Sequence, residues 1–155
     1  MRIALIFCLS VFLLSCKEGI RSREHGTRLN SQDYPDKKER IAVFSSIGST
    51  HSPIKDIEFD LFNVNDFGNN RSVPGASSLH YRYVVKVDPA DVHLWTEFLQ
   101  PINMDTSFAW QDSLVSSRKE EWIHASVPQF YGVNGKLLVI AYQPEGIIFR
   151  DVIQN

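Results

Sequence analysis

Apolar and polar positions alternate most clearly in the middle and at the end of the chain. From Ile57 to Val64, residues Ile57, Phe59 and Leu61 fall on one side and Glu58 and Asp60 on the other, the two-residue repeat of a half-buried strand. Tyr81 to Val87 repeats it, with Tyr81, Tyr83, Val85 and Val87 on one face and Arg82, Val84 and Lys86 on the other. If these two strands pair, Arg82 and Lys86 are expected to meet Glu58 and Asp60 across the sheet. Leu137 to Tyr142 is apolar on both faces, which predicts a central strand. Asn134-Gly135 predicts a tight hairpin between 129–133 and this strand. Gln143 to Gly146 predicts a second turn, leading into a strand from Ile147 to Ile153.

The rest of the pattern is less regular. Ile41 to Ile47 predicts a strand. Residues 65–78 are rich in Asn, Gly, Ser and Pro and predict a long loop. Asp88 suits an N-cap and Pro89 a first turn, and Val92, Trp95 and Leu99 share a helical face, so a helix is expected from here to Pro101. Residues 101–121 are irregular, with room for a short helix near 111–120. Trp122 to Val127 predicts a strand ended by Pro128. Together these readings give an α+β fold: a mainly antiparallel β-sheet with one principal α-helix packed on a face.

The N-terminus has a different character. Met1 and Arg2 precede a twelve-residue, almost wholly apolar run, Ile3 to Leu14. A spanning helix needs about 20 such residues, so the run reads as a secretory signal. It closes on Leu13-Leu14-Ser15-Cys16. This resembles the lipobox of bacterial lipoproteins, in which the signal is cut before a cysteine that carries lipid. The resemblance is confined to these residues. It implies that Ser15 is the last residue removed, that Cys16 is acylated, and that the bilayer is a partner through Cys16. It further implies, from Lys17 after the cysteine, the outer membrane, facing the periplasm. Cys8 falls in the removed segment, so residues 17–155 contain no cysteine. The expected organisation is 1–15 signal peptide, 16–40 lipidated cysteine and flexible tether, and 41–155 one folded domain. Residues 17–40 are polar, with seven basic and five acidic side chains; residues 41–155 have eight and thirteen. A formal net charge of −2 therefore hides a basic tether and an acidic domain, and gives no case for nucleic-acid binding.

Chemistry is sparse. His25, His51, His80, His93 and His124 form no close metal-ligand spacing, and no metal or cofactor is expected. The hydroxyls from Ser45 to Thr50 lie near His51 in sequence, but without the pattern of a nucleophile elbow. Glu120-Glu121 and the alternating Asp56, Glu58 and Asp60 read as solvated faces. No catalytic residues are assigned. Residues 41–155 hold eight Phe, four Tyr and three Trp. Of these, Phe67, Trp110, Phe130 and Tyr131 fall in or beside predicted loops and are the candidate partner-binding residues, since aromatic side chains are frequent anchors. The function expected is an envelope lipoprotein with a non-catalytic domain that binds a protein or peptide. Its specific form is an inhibitor or immunity protein against a periplasmic enzyme or toxin. The alternatives are a small enzyme acting on cell-wall or exported material and an accessory subunit of an envelope assembly.

Overall fold

The computed structural model describes residues 26–67, 78–104 and 107–154. Seven strands form one antiparallel sheet: β1 Arg28–Asn30, β2 Asp56–Asn63, β3 Leu79–Lys86, β4 Gln100–Pro101, β5 Gln129–Val133, β6 Leu137–Tyr142 and β7 Ile147–Gln154. Their order across the sheet is β1-β2-β3-β7-β6-β5-β4. Two up-and-down runs, β1 to β3 and β4 to β7, meet where β7 pairs with β3. The fold is α+β and mostly sheet, as the pattern predicts.

Register decides which side chains share a face. Phe59, Tyr83, Arg150 and Val139 stand in one cross-strand row, and Ile57, Val85, Ile148 and Ala141 in the next. This face packs against α1, Lys37–Ser45, through Phe44, and against a 3-10 segment, Pro89–Trp95, through Val92 and Trp95. The opposite face presents Val84, Ile140, Tyr142, Ile147 and Phe149. It is covered by Leu114, Val115 and Trp122 from α2, Ala109–Val115, and the 3-10 turn that continues it, Ser116–Trp122. Helical cover thus lies on both faces, which is why β6 and β7 are apolar on both sides.

The hairpin forms as expected. Asn134 and Gly135 take φ of 46° and 68°, the pair of positive values that matches strand twist. Asp88 also caps as expected, accepting from the Ala90 N–H at 3.1 Å. The segment it starts is a 3-10 helix, because Val92 and Trp95, three apart, are the residues buried. It ends at Trp95 and does not run to Pro101 as expected: Gln100 and Pro101 pair with Gly132 and Tyr131 at the sheet edge.

Three expectations are corrected. Ile41 to Ile47 belongs to the C-terminal part of a helix and the turn that follows it, not a strand. The Asp36 carboxylate caps α1 by accepting from the Glu39 N–H at 3.0 Å, and Arg40 and Phe44, one turn apart, both turn inward. The folded unit also begins before residue 41. Arg28–Asn30 pairs with β2, and Leu29, Tyr34 and Arg40 are buried, so residues 26–40 are part of the fold. Finally, Trp122 closes a helical turn, and 123–128 is irregular rather than a strand.

Gly146 makes the turn into β7 with φ of 67°, and its carbonyl accepts from the Val87 N–H at 2.8 Å. A Cβ there would lie 2.4 Å from the Val87 carbonyl oxygen. Gly146→Ala is expected to lower the unfolding free energy by about 1–3 kcal/mol from backbone strain, with the clash in addition. Urea denaturation measures this directly.

Candidate functional site

The loop 123–128 runs from the helical turn Ser116–Trp122 to β5 and exposes two apolar side chains. Ile123 is 72% exposed and Val127 88%. Val127 also borders a shallow cleft with Pro89, Ala90, Gln143 and Pro144. The entry and the middle of the loop are fixed by different means.

The entry to the loop rests on buried charge. Glu58 is 1% exposed and Arg40 1%, in contrast with the solvated face expected for the carboxylates of β2. Arg118, in the turn before the loop, donates from Nε to Glu58 Oε1 at 2.5 Å and from Nη2 to Oε2 at 2.7 Å. Ser31 Oγ donates to Oε2 at 2.5 Å. Arg40 donates to Asp56 Oδ1 at 2.8 Å, to the Ile57 carbonyl at 3.0 Å and to the Pro35 carbonyl at 3.0 Å. Such a cluster is tolerated in a core because its charges are paired and hydrogen-bonded. Burial pushes the Asp56 carboxyl up, but hydrogen bonds to Glu121 and Arg40 outweigh it and hold it below its ordinary value. The same hydrogen bond to Asp56, followed by burial, raises Glu121. Lys86 Nζ donates to the Glu121 carbonyl at 3.0 Å. The residues just before Ile123 are thus tied to β2 and β3.

The register places Asp60 opposite Arg82 and Asp56 opposite Lys86, yet the expected cross-strand ion pairs do not form. Asp60 is held by Arg28 at 2.8 and 2.7 Å, and Arg82 turns to Asp151 at 3.2 Å.

The middle of the loop is stapled by Glu145. Its Oε1 accepts from the Ala125 and Ser126 N–H groups, both at 2.9 Å, and its Oε2 from Ser126 Oγ at 2.5 Å. Bonds from the Ser126 hydroxyl and the Ala125 amide hold the Glu145 carboxyl down to about 2. His124 lies with its ring 3.9 Å from that of Tyr142, and its Nδ1 is 3.0 Å from the Trp122 carbonyl. A loop held this way loses little further freedom on binding, so contacts at its tips convert efficiently to affinity.

The staple has a pH signature. A carboxyl whose folded pKa lies below its unfolded value stabilises the fold above the unfolded value, near 4.5, and loses that contribution as pH falls toward 2. Amide exchange of Ala125 and Ser126 is expected to lose protection over that window. In Glu145→Ala, which removes the acceptor, the protection is expected to be low at neutral pH and flat across it.

The four aromatic candidates are split between the two faces. Phe67 and Tyr131 are half-buried against the core on the α1 side, Phe67 with its ring 5.9 Å from that of Tyr81. Trp110 and Phe130 pack on the α2 side, Trp110 edge-on to Phe149 at 5.9 Å. They pack partly buried against opposite faces of the sheet and do not form one surface. Cys16, Ser15 and His25 lie outside the described residues. Among the described residues no hydrogen bond joins a hydroxyl to His51, and Ser46 Oγ instead donates to the Val43 carbonyl at the end of α1. His80 does meet a carboxylate, with Nε2 2.6 Å from Asp151 Oδ1. Among the described residues, no three potential metal ligands cluster, and no helix is long and apolar enough to cross a membrane.

Ile123, Val127 and Glu145 do not stand out in the sequence. The available signal is the pair of apolar residues ahead of Pro128, which read equally well as part of a strand. No protein-family model, no curated protein and no solved structure matches this chain.

Proposed function

We propose that the chain is a lipid-anchored protein of the bacterial cell envelope whose folded unit binds a protein partner through the loop 123–128, as an inhibitor or immunity protein acts on an envelope enzyme. The observation that carries the binding reading is the braced loop: two exposed apolar tips on a backbone held by Glu145 and by the Glu58 cluster. Residues 26–155 contain sixteen acidic and twelve basic side chains, which favours a basic partner and speeds its encounter. The anchor rests on Leu13-Leu14-Ser15-Cys16. Several acyl chains on one residue, each methylene contributing about 0.8 kcal/mol when buried, hold a protein firmly to a bilayer. Nine residues separate Cys16 from Gly26, where the described fold begins. Even fully extended they reach only about 30–35 Å, which keeps the Gly26 end of the sheet close to the membrane, with the loop 123–128 at the opposite end.

The test compares detergent extracts of membranes carrying the wild-type chain or Ile123→Asp/Val127→Asp. A protein retained by the wild type, released by salt and lost with the variant supports the reading. The same proteins retained by both, or none by either, overturns it. Intact-mass measurement is expected to show an acylated N-terminal Cys16 in the wild type, and a Cys16→Ser chain that leaves the membrane fraction. A second reading, a small envelope enzyme, draws on the His80–Asp151 pair, which is the geometry that orients a general base. It requires that His80→Gln abolish a hydrolytic activity toward cell-wall material.

A further inference from the structure

Among the described residues, the large apolar side chains left exposed fall into two groups. Ile123 and Val127 belong to the loop 123–128. At the other end of the sheet stand Phe98, 88% exposed, Val133 and Phe62, with Ile102 just after β4. Register places them. Val133 is the last residue of β5 before the Asn134-Gly135 turn. Phe98 lies in a turn, closed from the Leu99 N–H to the Thr96 carbonyl at 2.9 Å, that feeds β4 at Gln100. Gln100 pairs with Gly132 and Pro101 with Tyr131, so β4 runs away from the hairpin tip and Phe98 is left beside it. Phe62 pairs with His80 and with Arg28, two residues after Gly26.

The surface between these tips is also apolar. A cleft of about 510 Å³ is walled by Ile102, Met104, Phe108, Leu138 and Ile153 and bordered by the hairpin at Val133. Ile153 pairs with His80, the partner of Phe62, so apolar surface continues from the hairpin toward β2. Charge here is mixed. Arg28 holds Asp60, and Arg82 and His80 hold Asp151, while exposed Lys136 on the hairpin is offset by Glu97 and Asp66. No sign prevails, so a contact made by this end is apolar in character. Single exposed apolar residues are ordinary, but a group of them at one end of a fold marks an interaction surface.

Where the chain leaves the fold decides the occupant. Gly26 emerges at this end, its carbonyl accepting from the Phe67 N–H at 3.4 Å, and nine residues separate it from Cys16. A lipid on Cys16 therefore keeps Phe98, Val133 and the cleft within reach of the bilayer. Apolar and aromatic side chains so placed gain free energy by entering the boundary between headgroups and acyl chains. The tether makes this contact intramolecular, at an effective concentration of about millimolar, so even a weak insertion is populated. We infer that the hairpin end of the sheet is a bilayer-contact surface, with Phe98 and Val133 as its inserting tips and the cleft at Ile102, Met104 and Ile153 turned to the lipid. The inference rests on the lipid-anchored reading for its nearness to the membrane. Seated this way, the folded unit holds the loop 123–128 at the end away from the bilayer.

The test puts a photoreactive amino acid in place of Phe98 or of Val127 in the full-length chain, irradiates the membranes that carry it, and weighs the recovered chain. Position 98 is expected to gain the mass of a phospholipid, at a yield about tenfold or more above that of position 127. Val133→Asp is expected to lower the yield at position 98 about tenfold, and high salt to leave it unchanged. The same spectra report acylation of Cys16, which separates the two readings. An acylated chain with no lipid adduct at position 98 overturns the bilayer surface and leaves the anchor standing. A lipid adduct at position 98 on a chain with unmodified Cys16 supports the surface and overturns the anchor. Neither modification overturns both. Equal lipid adducts at positions 98 and 127, or a dominant adduct of position 98 with a protein or a second copy of this chain, also overturns the surface.

Discussion

Glu58→Ala is expected to lower the unfolding free energy by about 3–5 kcal/mol, because it leaves buried cations without their partner. The carboxylate is 1% exposed and accepts from both Arg118 nitrogens and from Ser31. The Arg40 Nε lies 3.6 Å away. Removing Glu58 leaves two guanidinium groups inside the fold with only Asp56, beside Arg40, and Glu121, hydrogen-bonded to Asp56, for balance. Against a typical stability of about 5–15 kcal/mol this is a large share. The comparison is Arg28→Ala. That side chain also holds a carboxylate at 2.7 Å, but it is 67% exposed. A pair of that kind contributes about 0–1 kcal/mol. Denaturant unfolding of the two variants is expected to separate them by more than about 2 kcal/mol. Equal losses would show that the cluster's burial does not govern its energy. Glu58→Ala is also expected to loosen the loop, since Arg118 is four residues before Trp122. Faster amide exchange at 123–126 than in Arg28→Ala would register it.

The second large effect is on binding. Ile123→Asp/Val127→Asp is expected to weaken the partner complex by about 10³-fold, at about 2 kcal/mol for each apolar tip removed from the interface. Each change places a charge where an apolar tip would be desolvated. Neither residue packs on the core, so each is expected to change stability by no more than about 0.5 kcal/mol. Calorimetric titration of the partner and thermal unfolding of the variant measure the two quantities separately. Affinity unchanged within tenfold would remove the loop from the interface.

The sheet is legible wherever local pattern and local turn chemistry agree. Asn134-Gly135 sets a hairpin register that also places Leu137 to Tyr142 centrally, and the alternation in Ile57 to Val64 and Tyr81 to Val87 pairs those strands correctly. What fails is non-local. Arg40 sits in a stretch of charge that reads as solvated, and only Asp56 and Glu58, sixteen and eighteen residues on, make it a core residue. The cap of α1, Asp36, lies in that same stretch, so Ile41 to Ile47 shows only its β-branched residues as a local signal. Arg118 meets Glu58 across sixty residues. Alternation alone points Glu58 and Asp60 to Arg82 and Lys86, but α1, the turn before the loop and β1 supply nearer cations. The binding loop is illegible for a different reason. Ile123 and Val127 are apolar in the way strand residues are, and nothing local distinguishes a tip held out by Glu145 from a side chain facing a core. The aromatic candidates illustrate the converse: Trp110 and Phe130 flank loops in sequence but pack inward once α2 folds over the sheet.

The most direct test puts a photoreactive amino acid in place of Val127 in the full-length chain and irradiates intact cells. The control position is Lys136, exposed beside the hairpin turn at the other end of β5 and β6. The account predicts one dominant adduct from position 127, with an envelope protein, absent from position 136 and suppressed by Ile123→Asp. No adduct from position 127, or the same adduct from both positions, would contradict it.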